Sequence, residues 1–444
     1  MKLPSHVAPL AKLAAPLVLS MSTVTILQVI DAVVLGHHSE TAVAAMGPSS
    51  LAIILVQGVL FGTTGYAGTW AATAHGAGDT SGERRAAWMG MKLSLAFGLA
   101  ALLAAWPLGL VFFHLGHAPD VAAGEATYFR VLVAGSVFPV LSAALSGWLS
   151  GIGRTRDAFL VSLVSFVVNI VLTPPLALGW FGLPAMGLLG AALGTVAAQA
   201  AAVVVLLEIF RRADGFRHPE ERVAAPGRLR EFLGLALPQG LRISVELLAW
   251  TVFLVFIGRL GTEPLAASSI AFRINGMAFF PALGIGQAAA ILVAQARGAG
   301  KLAEIRPIAF QALGLGAIWM TAFAVAFLLF PGALLDLFEI SHPETRRMGV
   351  VILRFVAFYC LFDAANVILA SVLSALGDTR WTLWIFLGGS TAFIGALAVA
   401  DHLYAPVQVH WSLATAFVVG TALAWLGRFQ AKMPPREVRI PGSS

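Results

Sequence analysis

Apolar residues fill this chain in long stretches, and short polar segments separate one stretch from the next. Twelve stretches are about 20 residues or longer, which is the length that an α-helix needs to cross the hydrocarbon core of a bilayer. The pattern therefore predicts an all-α integral membrane protein with twelve transmembrane helices. We place these spans at approximately 12–35, 43–73, 87–113, 125–150, 158–179, 186–210, 231–258, 265–296, 306–332, 347–376, 381–400 and 408–428.

The two halves of the chain repeat one another. A shift of 222 or 224 positions, depending on the segment, places glycines of the first half on glycines of the second. The matched pairs include Gly36 and Gly258, Gly62 and Gly284, Gly76 and Gly298, and Gly153 and Gly377. A repeat of this length is a duplicated half-protein, an organisation found in secondary transporters.

The duplication predicts two pseudo-symmetric six-helix bundles. Because each half holds an even number of spans, both halves share one orientation and are related by an axis along the membrane normal. We expect one bundle over residues 1–212 and the other over 231–444. Residues 213–230 are rich in charge and are expected to form a solvated cytoplasmic linker between them.

Composition agrees with a membrane protein. Of the 444 residues, 59% are hydrophobic and only 11% are charged, whereas about a quarter of the residues of a soluble domain are charged. The net charge of +6 could suggest nucleic acid, but the Lys and Arg residues lie in short loops between apolar runs. We therefore expect the lipid bilayer, and no nucleic acid, as the partner of this chain.

The loop charges predict the orientation. Of the 28 Lys and Arg residues, three lie within spans and four lie in segments on the side away from the termini, namely Arg130, Arg259, Arg346 and Arg347. The remaining 21 lie on the side of the termini, and positively charged loops stay in the cytoplasm. We expect a multi-pass protein of a bacterial inner membrane with both termini cytoplasmic.

Polar side chains within spans are costly in a bilayer and are therefore candidates for function. In the first half, Asp31 lies on the first span with Gln28 one turn earlier, and no Lys or Arg of this half lies at membrane depth to neutralise it. A desolvated carboxylate takes up a proton more readily, so Asp31 could act as a proton-coupled switch. Asn169 and Thr173 lie on one face of the fifth span, where they could serve this acid or join helices.

The second half holds two acids within spans, Glu246 and Asp363. Arg242 precedes Glu246 by four residues and shares its helix face, and depth counting suggests that both acids, Arg242 and Arg273 could form one cluster. Two interpretations stay open: the carboxylates could bind a cation, with Tyr359 and Asn366 supplying further oxygens, or the arginines could neutralise them in a structural network. A third span arginine, Arg354, precedes Asp363 by nine residues.

The chain lacks the motifs of a membrane-bound enzyme. It contains no Walker-type phosphate loop and no HExxH sequence, and Cys360 is its only cysteine. A Cys-based metal site and an intramolecular disulfide are therefore excluded. We predict no catalytic residues, no metal and no cofactor other than a coupling ion.

Several motifs resemble the multidrug and toxic compound extrusion (MATE) family, and their order and spacing cover essentially the whole chain. They are VIDAVVLGHHSETAVAAMG, TAHGAG with its copy AQARGAG, and LSALGDTR. The resemblance implies a V-shaped pair of bundles that exports cationic, amphipathic compounds in exchange for H⁺ or Na⁺.

The resemblance also implies roles for single residues. Asp31 matches the first-helix aspartate of the family, and Asn169 matches a fifth-helix asparagine. Glu246 and Asp363 match a pair of acids that the NorM-type branch uses in cation coupling. Thr173 and Arg273 depart from the family pattern, since an Asp or Asn and a neutral residue, respectively, are usual there. The departures weaken an extended proton relay and a sodium site, and we favour proton over sodium.

We therefore predict a monomeric antiporter that works by alternating access. Asp31, Glu246 and Asp363 are its expected coupling acids. The main alternative is a flippase for lipid-linked precursors on a similar duplicated bundle, in which Arg242, Arg273 and Arg354 would meet a pyrophosphate group.

Overall fold

The computed structural model describes residues 7–38, 40–222, 227–338 and 342–433; between residues 24 and 44 it describes the backbone of two helices but only some side chains. Within these ranges the chain forms fifteen α-helices and no β-strand. They are α1 (Val7–His38), α2 (Glu40–Gly65), α3 (Ala67–Gly76), α4 (Thr80–Gly109), α5 (Pro119–Ala134), α6 (Val137–Gly151), α7 (Thr155–Leu178), α8 (Leu188–Arg212), α9 (Arg228–Arg259), α10 (Thr262–Gly298), α11 (Leu302–Leu329), α12 (Pro331–Asp336), α13 (Pro343–Ala375), α14 (Thr379–His402) and α15 (Val407–Lys432).

The prediction of an all-α membrane protein is confirmed. Among the described residues, ten helical segments are long and apolar enough to cross a membrane, and α5 with α6 forms an eleventh that is bent by 43°. Helix α1 coincides with the first predicted span, and its described apolar part is Val7–Thr23. Helices α2 and α3 together form the second span, Ala45–Gly76, and Tyr66 between them keeps helical backbone angles.

The helices form two lobes, an N lobe of α1–α8 and a C lobe of α9–α15. We call the membrane side on which α8 ends and α9 begins the linker side, and the opposite side the far side. The lobes contact each other through α1 and α10, α2 and α9, and α3 and α10. These contacts bring the repeated segments of the two halves against each other.

A first pair of equivalent backbone contacts joins the lobes near the middle of the spans. A side chain at Gly62 on α2 would collide with the backbone of Gly240 on α9, and a side chain at Gly284 on α10 would collide with the backbone of Val18 on α1. The shift of 222 residues relates Gly62 to Gly284 and Val18 to Gly240. The interface between the lobes therefore repeats itself about a pseudo-twofold axis, as the duplication predicts.

A second pair of equivalent contacts lies at the linker-side ends of α3 and α10. A Cβ atom at Gly76 would overlap the carbonyl oxygen of Gln295, and a Cβ atom at Gly298 would overlap the carbonyl oxygen of Thr73. Gly76 corresponds to Gly298 and Thr73 to Gln295 in the repeat. Only glycine allows the two backbones to approach so closely at these positions.

Hydrogen bonds between the lobes lie, like the close backbone contacts, at mid-span and toward the linker side. Within the described residues there are three: Gln295 Nε2 donates to the Gly151 carbonyl at 2.8 Å, the Tyr66 hydroxyl to the Ser374 carbonyl at 3.1 Å, and the Ser244 hydroxyl to the Leu55 carbonyl at 3.0 Å. The first two lie toward the linker side, and the third lies near mid-span. The lobes are thus joined over the linker-side half of the described structure.

The linker does not follow the expectation of a solvated connector. Glu221 is only 3% exposed, and it accepts two hydrogen bonds from the Arg84 guanidinium, at 2.6 and 2.7 Å, and one from the Ser81 hydroxyl at 2.8 Å. Trp88 donates to the Gly215 carbonyl at 3.0 Å. The described part of the linker is therefore attached to the start of α4, where the Arg84 guanidinium compensates the charge of the buried carboxylate.

We expect replacement of either interfacial glycine, Gly76→Ala or Gly298→Ala, to destabilise the joined lobes. Each added methyl group would collide with a carbonyl oxygen of the opposite lobe, and overpacking of this kind costs about 1–3 kcal/mol. Thermal unfolding of the purified variants in detergent measures the effect. Gly314→Ala is the matched control, since a Cβ atom at that glycine of α11 meets no atom within 4 Å. Equal melting temperatures for all three variants would contradict the inferred contact.

We also expect Glu221→Gln to release the linker from α4. The Arg84 hydrogen bonds hold the pKa of the Glu221 carboxyl below its usual range. The attachment of the linker is therefore complete above the pKa of a free carboxyl, about 4.3. It is lost as the pH falls through the lowered pKa of Glu221. Loss of a charge-assisted bond of about 1.5–3 kcal/mol corresponds to at least tenfold faster amide exchange.

Hydrogen–deuterium exchange of residues 213–222 at neutral pH is the measurement. Glu220→Gln is the control, because that neighbouring glutamate is exposed and, among the described residues, its carboxylate pairs with His218. Unchanged exchange in the Glu221 variant would show that the ion pair does not hold the linker.

Candidate functional site: polar groups buried in each lobe

The C lobe brings its two span acids together. Arg242 Nη1 donates to Glu246 Oε2 at 2.8 Å, and the carboxylates of Glu246 and Asp363 lie close enough to interact electrostatically. Asp363 is 9% exposed and the Glu246 side chain 26%. Arg242 thus neutralises Glu246, and the negative charge of Asp363 is left for a proton or a cation to neutralise.

Neutral oxygens surround Asp363. Asn366, one turn later on α13, contacts the Asp363 carboxyl and donates its Nδ2 to the Val418 carbonyl at 3.0 Å. The Asn366 Oδ1 and Tyr359 hydroxyl atoms are buried, and neither has a hydrogen-bond partner in the part of the chain that the structure describes. These acceptors are the groups that could accompany a proton or a cation on Asp363.

Aromatic side chains close the inner side of this cluster. The Arg242 guanidinium lies 5.4 Å from the ring centre of Phe386, and the Tyr359 ring stacks on Trp411 at 6.5 Å. In addition, Cys360 contacts Asn275 Oδ1 on α10 at 3.5 Å. The cluster is therefore held by α9, α10, α13, α14 and α15, and apolar walls strengthen the electrostatic interactions inside it.

The other two span arginines lie apart from the acids. Arg273 is exposed on α10 and forms no ion pair with a described residue, so the predicted four-charge cluster reduces to Arg242, Glu246 and Asp363. Arg354 is exposed on α13. Nine residues separate it from Asp363, which places the two on faces of the helix about 180° apart.

The N lobe contains a small polar cavity near mid-span. Its volume is about 130 Å³, and its lining comprises Thr23, Leu27, Ser142, Ser146, Val161, Ser162, Ser165, Phe166, Gln199 and Ala202. Ser162 shares a hydrogen bond with Ser20 at 3.1 Å, which connects the fifth span to α1. At about 30 Å³ of liquid volume per molecule, the cavity has room for a few waters, and its hydroxyl and amide groups could bind them.

Two predicted N-lobe residues, Gln28 and Asp31, lie on α1 beyond this cavity. Their side chains are outside the described part of the structure. The helix backbone places position 31 one turn past Leu27, which lines the cavity.

Asn169 and Thr173 form a network of their own on α7. The Thr173 hydroxyl donates to Asn169 Oδ1 at 3.1 Å, and Asn169 Nδ2 donates to the Thr195 hydroxyl on α8 at 3.2 Å. Both residues are fully buried. Their polar side chains thus hydrogen-bond to one another and to Thr195, and so join α7 to α8.

The cavity lining includes Ser142, Ser146 and Gln199, which the sequence pattern did not single out as candidates. Ser142 and Ser146 are four residues apart on α6 and therefore share a face, a signal that was present in the sequence. Gln199 lies in an alanine-rich stretch of α8, and the packing of α8 against α7 brings it to the cavity.

Two pseudo-symmetric bundles with a few buried acids define the class of secondary transporters. The MatE family model matches the chain twice, at residues 16–174 and 238–396, and the two matches are offset by 222 residues. A probable multidrug resistance protein NorM of Pseudomonas putida is 31% identical over 396 residues, which cover 86% of each chain. A probable NorM protein of Deinococcus radiodurans is 29% identical and covers 95% of this chain and 94% of its own.

Solved structures share the fold. One described as the outward-facing conformation of a multidrug resistance MATE family transporter has a TM-score of 0.87 at 19% identity and covers 97% of this chain and 99% of its own. A transporter from Pyrococcus furiosus, whose binding pocket is described as reversed in polarity, has a TM-score of 0.84 at 19% identity and the same coverage. The chain belongs to the MATE family and is a NorM-type transporter, not an enzyme.

We expect Arg242→Gln to destabilise the C lobe, because it leaves Glu246 and Asp363 adjacent without a compensating charge. Removal of one partner of a buried pair costs about 3–5 kcal/mol, and the partial exposure of Glu246 lowers this value. The double variant Arg242→Gln with Glu246→Gln should regain most of the loss. Thermal unfolding of the single and double variants measures the coupling between the two positions.

The matched control is Arg259→Gln, which removes a more exposed pair with Asp401 at the end of α9. Its loss should stay within about 1 kcal/mol. A double variant no more stable than Arg242→Gln alone would show that Arg242 does not act by neutralising Glu246.

Proposed function

We propose that this protein exports cationic, amphipathic drugs or metabolites in exchange for a cation, and that the cation is a proton rather than sodium. The observation that carries the proposal is the C-lobe cluster, in which Arg242 pairs with Glu246 while the neighbouring Asp363 has no cationic partner among the described residues. Its uncompensated negative charge must be neutralised while it stays buried. A cluster of this kind can release its cation only when the lobe becomes accessible to water.

The choice of the proton rests on the position of Arg242. Its guanidinium lies 2.8 Å from Glu246 Oε2, and a fixed positive charge at this distance opposes a sodium ion beside the same carboxylate. A proton needs only one oxygen and forms no coordination shell. Glu246 therefore stays paired in our scheme, and Asp363 carries the proton.

Transport in this scheme follows alternating access. The lobes are joined on the linker side and would separate there when the far side closes, which changes the side from which the acids exchange protons. Asp31 is the proposed switch of the N lobe. We place the protein in the bacterial cytoplasmic membrane as a monomer with the linker side toward the cytoplasm, because that side carries 21 of the 25 loop and terminal Lys and Arg residues.

The arrangement of the arginines does not favour the flippase alternative. A pyrophosphate site needs several uncompensated cations in one cavity. Arg242 is neutralised by Glu246, and Arg354 lies on the face of α13 opposite Asp363. A fluorescent organic cation should therefore bind, and a lipid pyrophosphate should not displace it.

Efflux from proteoliposomes, driven separately by a pH gradient and by a sodium gradient, tests the proposal. We expect the pH gradient to drive export of a fluorescent cation in the absence of sodium. Asp363→Asn and Asp31→Asn should insert normally and reduce gradient-driven export to the leak of empty liposomes. Asp401→Asn, which changes an acid at the end of α14, should keep wild-type export.

Export that needs sodium would contradict proton coupling. Wild-type export by Asp363→Asn would remove that acid from the mechanism, and wild-type export by Asp31→Asn would remove the proposed switch. Displacement of the fluorescent cation by a lipid pyrophosphate would favour the flippase.

A further inference from the structure

A groove on the far-side half of the C lobe contains a charged residue that the transport scheme does not use. It lies between α13 and α15, has a volume of about 490 Å³, and is lined by Val351, Arg354, Phe355, Phe358, Ser412 and Thr415. We call it the Arg354 groove. Its lining combines one cation, two hydroxyl groups and an apolar floor.

The groove faces away from the acids of the lobe. Phe358 and Leu361, which are 56% and 46% exposed, lie on the same side of α13 as Arg354. These exposed apolar side chains mark the surface that meets lipid in a membrane protein. The Arg354 groove therefore opens toward the bilayer and not toward Asp363.

Arg354 lies at a depth where its charge can reach the lipid headgroups. Helix α13 has 33 residues, which corresponds to about 50 Å, and so extends about 10 Å beyond each face of a hydrocarbon core of about 30 Å. Arg354 follows Pro343 by eleven residues, or about 16 Å, and its Cα therefore lies about 6 Å inside the far-side boundary. An arginine side chain spans this distance by snorkelling.

The described residues do not neutralise this guanidinium. Arg354 forms no hydrogen bond or ion pair with any residue that the structure describes. The hydroxyl groups of Ser412 and Thr415 already donate to the carbonyls of Gln408 and Trp411 on their own helix, at 2.8 Å each. Their oxygens can accept hydrogen bonds but cannot supply the negative charge that Arg354 needs.

We propose that the Arg354 groove binds an anionic phospholipid of the far-side leaflet. The guanidinium binds the phosphodiester through two parallel N–H···O bonds, a geometry that arginine offers and lysine does not. An acyl chain then lies along Phe355 and Phe358. Phosphatidylglycerol fits the site because its net negative charge complements Arg354, whereas phosphatidylcholine carries a compensating cation.

A second groove of the C lobe supports the importance of the charge. It lies between α14 and α15 and has a similar volume, about 510 Å³, but its lining contains no charged side chain. It includes small residues such as Gly388, Ala392 and Gly420. This groove offers space to any acyl chain and has no group that selects a headgroup.

Native mass spectrometry of the intact protein, released from micelles that contain phosphatidylglycerol or phosphatidylcholine, tests the proposal. Wild type should retain phosphatidylglycerol preferentially, and Arg354→Gln should retain about fivefold less, which corresponds to about 1 kcal/mol for one basic residue near an anionic lipid. Arg354→Lys should keep part of the preference. Free glycerol phosphate should not compete, since it lacks the acyl chains.

Arg273→Gln is the matched control, because Arg273 also lies eleven residues into its span from the far-side end and also forms no ion pair with a described residue. Equal retention of both lipids by wild type, or equal losses in the Arg273 and Arg354 variants, would overturn the proposal. Competition by glycerol phosphate would show that the groove recognises the phosphate alone and would contradict the role of the acyl chains.

A measurement on wild type keeps the proposal testable if Arg354→Gln does not fold. A phosphatidylglycerol with a photoreactive group beside its phosphate should label the peptides that contain residues 351–358 and 409–415. Labelling confined to other helices would overturn the site.

Discussion

The close approach of α3 and α10 on the linker side is the constraint on which the rest of the structure depends. Gly76 contacts the backbone at Gln295, and Gly298 contacts the backbone at Thr73, two contacts that the internal repeat makes equivalent. A C₂-like interface of this kind is made from one surface used twice. It brings the lobes together at one end of the spans and leaves their far-side halves without interlobe hydrogen bonds in the described residues.

The charges do not follow this symmetry. The shift that relates the glycines places Val24 opposite Glu246 and Phe253 opposite Asp31, so each lobe carries acids that the other lacks. Duplication therefore explains the scaffold, and later additions explain the polar sites. In the C lobe, Arg242 neutralises one acid and leaves Asp363 in need of a partner, which is the basis of the proposed exchange. In the same lobe, Arg354 lies on the opposite face of α13 and belongs to the lipid boundary.

Sequence alone predicted the features that depend on local periodicity. The spans, the repeat and the i,i+4 contact of Arg242 with Glu246 follow from spacing along helices. Features that depend on tertiary contacts were not predictable. The linker attaches through Glu221 because Arg84 lies nearby only in the folded chain, and Arg273 was wrongly grouped with the acids because depth counting ignores the direction a residue faces. The face of Arg354 could have been predicted, since the nine residues between it and Asp363 correspond to two and a half helical turns, which places the two side chains on opposite faces.

The most direct test of the account is the distance between the linker-side turns of the two lobes during transport. Spin labels at Ala77→Cys and Ala299→Cys, both exposed and equivalent in the repeat, report this distance by double electron–electron resonance; Cys360 is fully buried and can remain. We predict a short distance at rest and a second, longer distance when a pH gradient drives export of an organic cation. A single short distance that persists while export proceeds would contradict the account.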